Sequence, residues 1–359
     1  MEQWSVGFTD IQYSNSPSEK DETVMTIAFP SIMTGVFLLV GFVFVCPAFL
    51  SGQAIKLKVA YPTTVGSMAV VWVAKEAKLF EKYGLDVELI YVAGSSRVVQ
   101  AMLAKDIPIS EIAIPAVIQA DLAGADLVML AGPNHKPGQK IMVKPEIKRR
   151  EELKGKKVGI TRFGTSDDFL LRYVLGQWNL QPDRDVALIQ MGGSPETVAG
   201  LASRAIDGGM LSSPLHLQAA KLGFSLLADL SNIGVDYQGA GVVTTRSFMR
   251  EAPDIMRRYL RAYVEGLHRF KTDKSFAAKV IGKYSRITEP DALEETYQHY
   301  AVKVMPRVPY PTLKGIQMVL DEIGTRTPKA KTLAPESFID VSYLKELEQG
   351  GFIKKLYGE

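Results

Sequence analysis

One local pattern recurs along this chain: a short apolar run, a small hydroxyl- and glycine-bearing loop, then an amphipathic helix. It is clearest at Gly159–Asp168. Lys157, Val158 and Ile160 read as a strand, and Phe169, Leu170, Tyr173 and Val174 have the spacing of one helix face. Between them lies Thr161–Ser166, with Asp167 and Asp168 in the first helical turn. Val59–Ser67 and Tyr91–Arg97 repeat the arrangement, and Ile112–Ala116, Gln190–Pro195 and Met210–Pro214 look similar. A strand that stops at a helix start leaves backbone N–H groups free to hold a polar or anionic ligand. One such turn binds nothing as a rule. Six at strand ends can converge on one crevice, as in open α/β sheets.

The rest of the chain supports this architecture. Strands are expected near Lys56–Ala60, Leu85–Val92, Ile112–Ile114 and Leu127–Ala131, alternating with helices over Ser67–Tyr83, Ser96–Lys105 and Ala116–Ala123. After the polar run Lys144–Lys157 a second set begins, with strands near Lys157–Thr161, Val186–Gln190, Gly209–Leu211 and Ser225–Ala228. Helices over Ser166–Leu180, Pro195–Ala205 and Pro214–Leu222 separate them. Gly239–Thr245 reads as one more strand, and almost everything after Ser247 as helix, including one over Pro290–Val304. The βαβα order argues for α/β lobes, each a mainly parallel sheet flanked by helices. About 300 patterned residues exceed one compact core, so two lobes are expected. Their expected extents are 55–145 plus 245–359 for a discontinuous first lobe and 146–244 for the second, with crossings near Val143–Glu152 and Gly239–Arg246.

Residues 1–54 form an N-terminal extension. Thr26–Ile55 carries no charge and is long enough to span a bilayer, and Gly52-Gln53-Ala54 suits signal-peptidase cleavage after Ala54. Export to the periplasm or extracytoplasmic face is expected, with an uncleaved membrane anchor as the alternative. The stretch before Met25 holds one lysine and several acidic residues, unlike a basic leader, so Met25 makes the better start. Val45 before Cys46 and Pro47 after it argue against lipidation. Cys46 is the single cysteine, so the chain beyond the leader has neither disulfide nor thiol nucleophile. The net charge of +3 is spread along the chain, without the basic stripe and aromatic platforms of a nucleic-acid binder.

No Gly-x4-Gly-Lys-Ser/Thr loop is present, and His135, His216, His268 and His299 lack metal-ligand spacing. Ser212-Ser213 has no nucleophile-elbow setting. Arg162 follows a strand and precedes the flexible Phe163-Gly164 pair, where its planar fork suits a carboxylate, sulfonate or phosphonate; a surface arginine or an interlobe salt bridge is the plainer reading. Arg97 is a weaker case of the same kind. Tyr61, Phe163 and Tyr237 are candidates to wall a pocket and Trp72 to sit in the core; the loop Pro133-Asn134-His135-Lys136 is a candidate to face the cleft, with a surface histidine as the plainer reading of His135.

Val73–Val87 resembles the first-helix signature of the substrate-binding proteins of ABC transporters of the sulfonate/nitrate/taurine type, the SsuA-like and NMT1-like group. Ala123–Val128, Leu153–Thr161 and Ala205–Gly208 match the pattern in order, and the similarity runs from Lys56 to about Ile281. The group includes a pyrimidine-precursor branch. The resemblance implies a two-lobe periplasmic-binding-protein fold of type II, with the ligand held by loops at strand ends. By position these supply Thr63, Thr64 and Ser67, then Ser95, Ser96 and Ala116. The Thr161–Ser166 turn adds Thr161, Arg162, Phe163, Gly164, Thr165 and Ser166, and the last loops add Ser213 and Tyr237. It also implies a monomeric receptor without catalytic residue, metal or cofactor, read by a membrane permease and its ATPase. The ligand would be a small anion held by Arg162, or a neutral heterocycle stacked on Phe163 or Tyr237. A cofactor-dependent enzyme of the thiamine-pyrimidine synthase branch is the alternative, with Lys136 or Lys140 as a Schiff-base lysine; the missing cysteine-rich segment speaks against it. A membrane-anchored sensor is the third reading.

Overall fold

The computed structural model describes residues 54–359, so the leader reading lies outside the described residues. Two five-stranded sheets organise the chain. The first contains β1 (Ile55–Tyr61), β2 (Leu85–Tyr91), β3 (Ile109–Ala113), β4 (Leu127–Ala131) and β10 (Ala240–Thr245), in the order β2-β1-β3-β10-β4. The second contains β5 (Gln139–Val143), β6 (Lys157–Ile160), β7 (Ala187–Gln190), β8 (Gly208–Ser212) and β9 (Ser225–Asp229), in the order β7-β6-β8-β5-β9. β1 runs parallel to β2 and β3, whereas β10 is antiparallel to both β3 and β4. β5 plays the same reversed part between β8 and β9. Each reversed strand is the first one formed after the chain changes lobe. It enters from the opposite side, which reverses its direction.

Sheet membership moves both expected boundaries. The first crossing lies over 132–138, because Gln139–Val143 is a strand of the second sheet rather than part of the connection. The second lies over 233–239, because Ala240–Thr245 completes the first sheet. The two crossings run side by side: the Gly239 N–H donates to the Asn134 carbonyl at 2.7 Å, and the Asn134 amide donates to the Ala240 carbonyl at 2.9 Å.

The strands of the first sheet follow the pleat. β1 alternates at its start, while β3 and β4 are buried throughout, as expected of strands covered on both faces. Pro253–Thr272 is a 20-residue amphipathic helix. It buries Met256, Leu260, Tyr263 and Leu267, and its Gly266 backbone meets Ala74 on the helix Ala69–Glu76. A β-carbon on Gly266 would fall 2.8 Å from the Ala74 β-carbon, so the residue permits the close crossing. The helix expected over Ser67–Tyr83 is broken into Gly66–Met68, Ala69–Glu76 and Leu79–Lys82, with Lys78 in the left-handed conformation.

The helical tail does not belong wholly to the first lobe. Ile287 and Ala292 pack with Val198, Leu201 and Leu215 of the second, and Lys221 pairs with Glu289 at 2.8 Å. The expected helix over Pro290–Val304 is α-helical only to Tyr297; Gln298–Val304 is a π-helical turn.

Candidate ligand-binding cleft

The carboxyl ends of the parallel strands in both sheets face one cleft, which encloses a cavity of about 70 Å³. One ordered water needs roughly 10–15 Å³ of such space, so the cavity has room for a small molecule. Helix starts and strand-end loops furnish the walls, as the recurring turn requires.

Half of the expected site residues line this cavity: Thr63, Ser67, Ser95, Thr161, Thr165, Ser166 and Tyr237. Thr63 comes from the loop after β1, Ser95 from the start of helix Ser95–Leu103, and Ser166 from the start of helix Ser166–Gln177. Tyr237 is fully buried; its ring stacks on Phe169 and its hydroxyl donates to Ser166 Oγ at 2.7 Å. Thr63 reaches across to the second lobe, with its hydroxyl 3.0 Å from that of Ser194.

The other half lies elsewhere. Arg162 turns away and donates from Nε to the Ala93 carbonyl of the opposite lobe at 3.1 Å. Space for its stem comes from Gly94, where a β-carbon would fall 2.7 Å from Arg162 Cδ. Phe163 is 43% exposed with the Arg172 guanidinium over its ring, and Gly164 shares its outer groove. Thr64, Ser96 and Ala116 flank the cleft without lining it, and Ser212 lines it where Ser213 was expected. Ser213 instead faces His216 at 3.4 Å, and its carbonyl accepts from Gly66 N of the other lobe. Tyr61 packs among Trp72, Tyr91 and Tyr284 rather than walling the pocket. Trp72 is core, and His135 bonds the Tyr310 carbonyl.

The Thr161–Ser166 turn is closed by side chains from outside it. Asp167 accepts from Thr161 N at 3.3 Å, Asp168 from Gly164 N at 2.9 Å, and Gln190 from Phe163 N at 3.0 Å. Three backbone donors on which an anion would draw are thus engaged. Asp168 is also held by Arg172 Nε at 2.6 Å. Asp167 has no such cation. It accepts from the Gln139 amide at 3.3 Å, and burial pushes its carboxyl above the usual range against the pull of bonds from Thr161 and Gln139.

Polar lining residues outside the expected ligand set include Asn134, Gln139, Asp167, Ser194 and Tyr300. Tyr300 comes from the π-helical turn. It is 2% exposed and lies against Gly66 and Gly138. Lys136 also lines the cavity and is itself exposed. Lys140, four residues further on, is buried 3.8 Å from Asp229 and 3.9 Å from Glu295. His216 and His299 share this cluster, and burial lowers each to a pKa of about 4, so both are neutral at pH 7. Among the described residues no group of histidine, cysteine and acidic side chains has the arrangement of a metal site.

A solved structure from Bordetella bronchiseptica superposes with a TM-score of 0.74 at 18% identity, covering 86% of this chain and 99% of its own. The periplasmic nitrate-binding protein NrtA of Synechocystis PCC 6803 superposes at 0.68 and 16% identity, covering 83% and 89%. At these identities the likeness establishes the two-lobe α/β fold of periplasmic binding proteins. A Brucella abortus protein, named by inference as a binding protein, is 27% identical over 235 residues, which are 63% of this chain and 70% of that protein. Residues 52–283 match the NMT1-like family, and the chain belongs to that family.

Proposed function

We propose that this protein is the extracytoplasmic solute-binding component of an ABC importer, capturing one small molecule between its lobes. The observation that carries this reading is the cavity enclosed by strand-end loops of both sheets, with hydroxyls and amides contributed from each side. Such a site binds by surrounding, and closure is favoured by contacts available only when both lobes meet the ligand. The relatives named for nitrate binding and for binding in general support the same role. The partners would be a membrane permease and its ATPase, which read the closed form, and the apolar leader would carry the chain across the membrane.

Catalysis is the weaker reading. Lys140 is tied between two carboxylates, and Lys136 stands exposed at the cavity wall rather than desolvated within it. A thermal-shift panel tests the receptor reading. A true ligand at about 100 times its Kd stabilises the protein by about 2.7 kcal/mol. Turnover of a substrate by the purified protein, with no ligand giving a shift, would overturn the assignment.

A further inference from the structure

We propose that Asn134 and Asp167 make this cleft selective for a small ligand that donates N–H hydrogen bonds, of the amine or amidine class, rather than for a donor-free anion such as nitrate or a sulfonate. The proposal rests on the reading of this cavity as the ligand site.

Asn134 carries half of the argument. It is 3% exposed and lines the cavity. Its amide nitrogen donates to the Ala240 carbonyl at 2.9 Å and lies 3.5 Å from the Ser67 carbonyl. Those two acceptors fix the orientation of the side-chain amide, since the flipped form would set oxygen against oxygen. The Oδ1 atom is then left buried without a partner. A buried acceptor without a donor costs about 1–3 kcal/mol, and a ligand N–H removes that cost.

Asp167 carries the other half. It lines the same cavity, is 8% exposed, and receives neutral donors: Thr161, through its hydroxyl and its N–H, and the Gln139 amide, the latter two at 3.3 Å. These long bonds leave acceptor capacity on both oxygens. Its neighbour Asp168 is paired with Arg172, so the nearby arginine is already engaged. The arginine that would have suited an anion is bonded to Ala93 across the cleft. A donor-free anion entering here finds a carboxylate, an unmet carbonyl oxygen, and turn N–H groups already bonded to Asp167, Asp168 and Gln190. The cation on the lining is Lys136, and it is solvated. An amidinium reverses each of these mismatches.

Isosteric pairs test the selectivity without changing ligand shape: acetamidine against acetate, and benzamidine against benzoate, with nitrate and methanesulfonate as further anions. The expected result is that amidines bind by calorimetry and raise the melting temperature while their acid partners do not. Asp167→Asn, with its own melting temperature checked, is expected to weaken amidine binding tenfold or more. If the variant does not fold, the parent's preference within each pair decides. Binding of the anions with no binding of the amidines overturns the ligand class and leaves the receptor reading intact. No shift with either set overturns the amidine class, and the receptor reading then stands or falls on turnover and the wider panel. Unchanged amidine affinity in a folded Asp167→Asn protein removes Asp167 from selection.

Discussion

Glu111 sits in the middle of β3, fully buried, with both carboxylate oxygens unpartnered. Tyr263 lies near enough to act on it without reaching bonding geometry, and burial raises its pKa to about 8. An unfolded chain would release that proton near 4.5. Between those values the folded state binds the extra proton, so stability falls as pH rises through this window. Asp121, raised to about 7, adds a slope of the same sign. Denaturation of parent and Glu111→Gln across pH 4–9 should therefore show a shallower decline in the variant; equal slopes would mean that Glu111 ionises freely in the fold. Residue-scale legibility was uneven. The hydroxyls of Thr161, Thr165 and Ser166 were readable because strand-loop-helix spacing fixes where a turn faces. The direction of Arg162 was not, because it depends on Gly94, a residue of the other lobe whose missing β-carbon opens the path for its stem. The loop Pro133–Lys136 was readable as facing a cleft, but nothing singled out Asn134 within it: a lone amide in a crossing has no period.

The π-helical turn Gln298–Val304 is the element that most changes the site. A 3.6-residue pattern reads Pro290–Val304 as one continuous helix, and the wider turn rotates the later residues away from that register. Tyr300 lies within this turn and lines the cavity. The segment is held at its end by Lys271, whose ammonium donates to the carbonyls of Ala301 and Met305, the latter at 2.6 Å. Lys271→Met should cost about 1.5–3 kcal/mol, the range for hydrogen bonds to a charged group, read from the denaturant midpoint. Ligand affinity should fall with it as Tyr300 loses its position; an unchanged Kd at lowered stability would separate the turn from binding. β5 was missed for a related reason. Lys140 interrupts the apolar run of Gln139–Val143, and its burial between Asp229 and Glu295 is a long-range fact.

At the scale of the whole molecule, the contacts that join the lobes around the cavity include Thr63 with Ser194, Gly66 with Ser213, and Arg162 with Ala93. Arg162 acts here as a clasp on a carbonyl, for which a single donor suffices. Arg162→Ala should open the molecule, seen as a larger radius of gyration by small-angle scattering, and weaken binding. Arg162→Lys should restore much of both, because an ammonium also donates to a carbonyl; failure of that rescue would return the planar fork to the argument. The fold class and the two-lobe plan were legible because the alternation of strand and helix is a local property. The exact crossings were not, since a strand's sheet is decided by partners far along the chain. That same long-range pairing has a consequence for how the molecule is made. β10 lies between β3 and β4, yet it follows the whole second lobe in sequence. During synthesis the first sheet therefore waits in two unjoined parts until about residue 245 has emerged. The second lobe has all five of its strands by then, and its two ends already lie side by side at Asn134 and Gly239. The later-begun lobe is the one whose sheet can be completed first, and the first sheet is the one left longest with an incomplete edge.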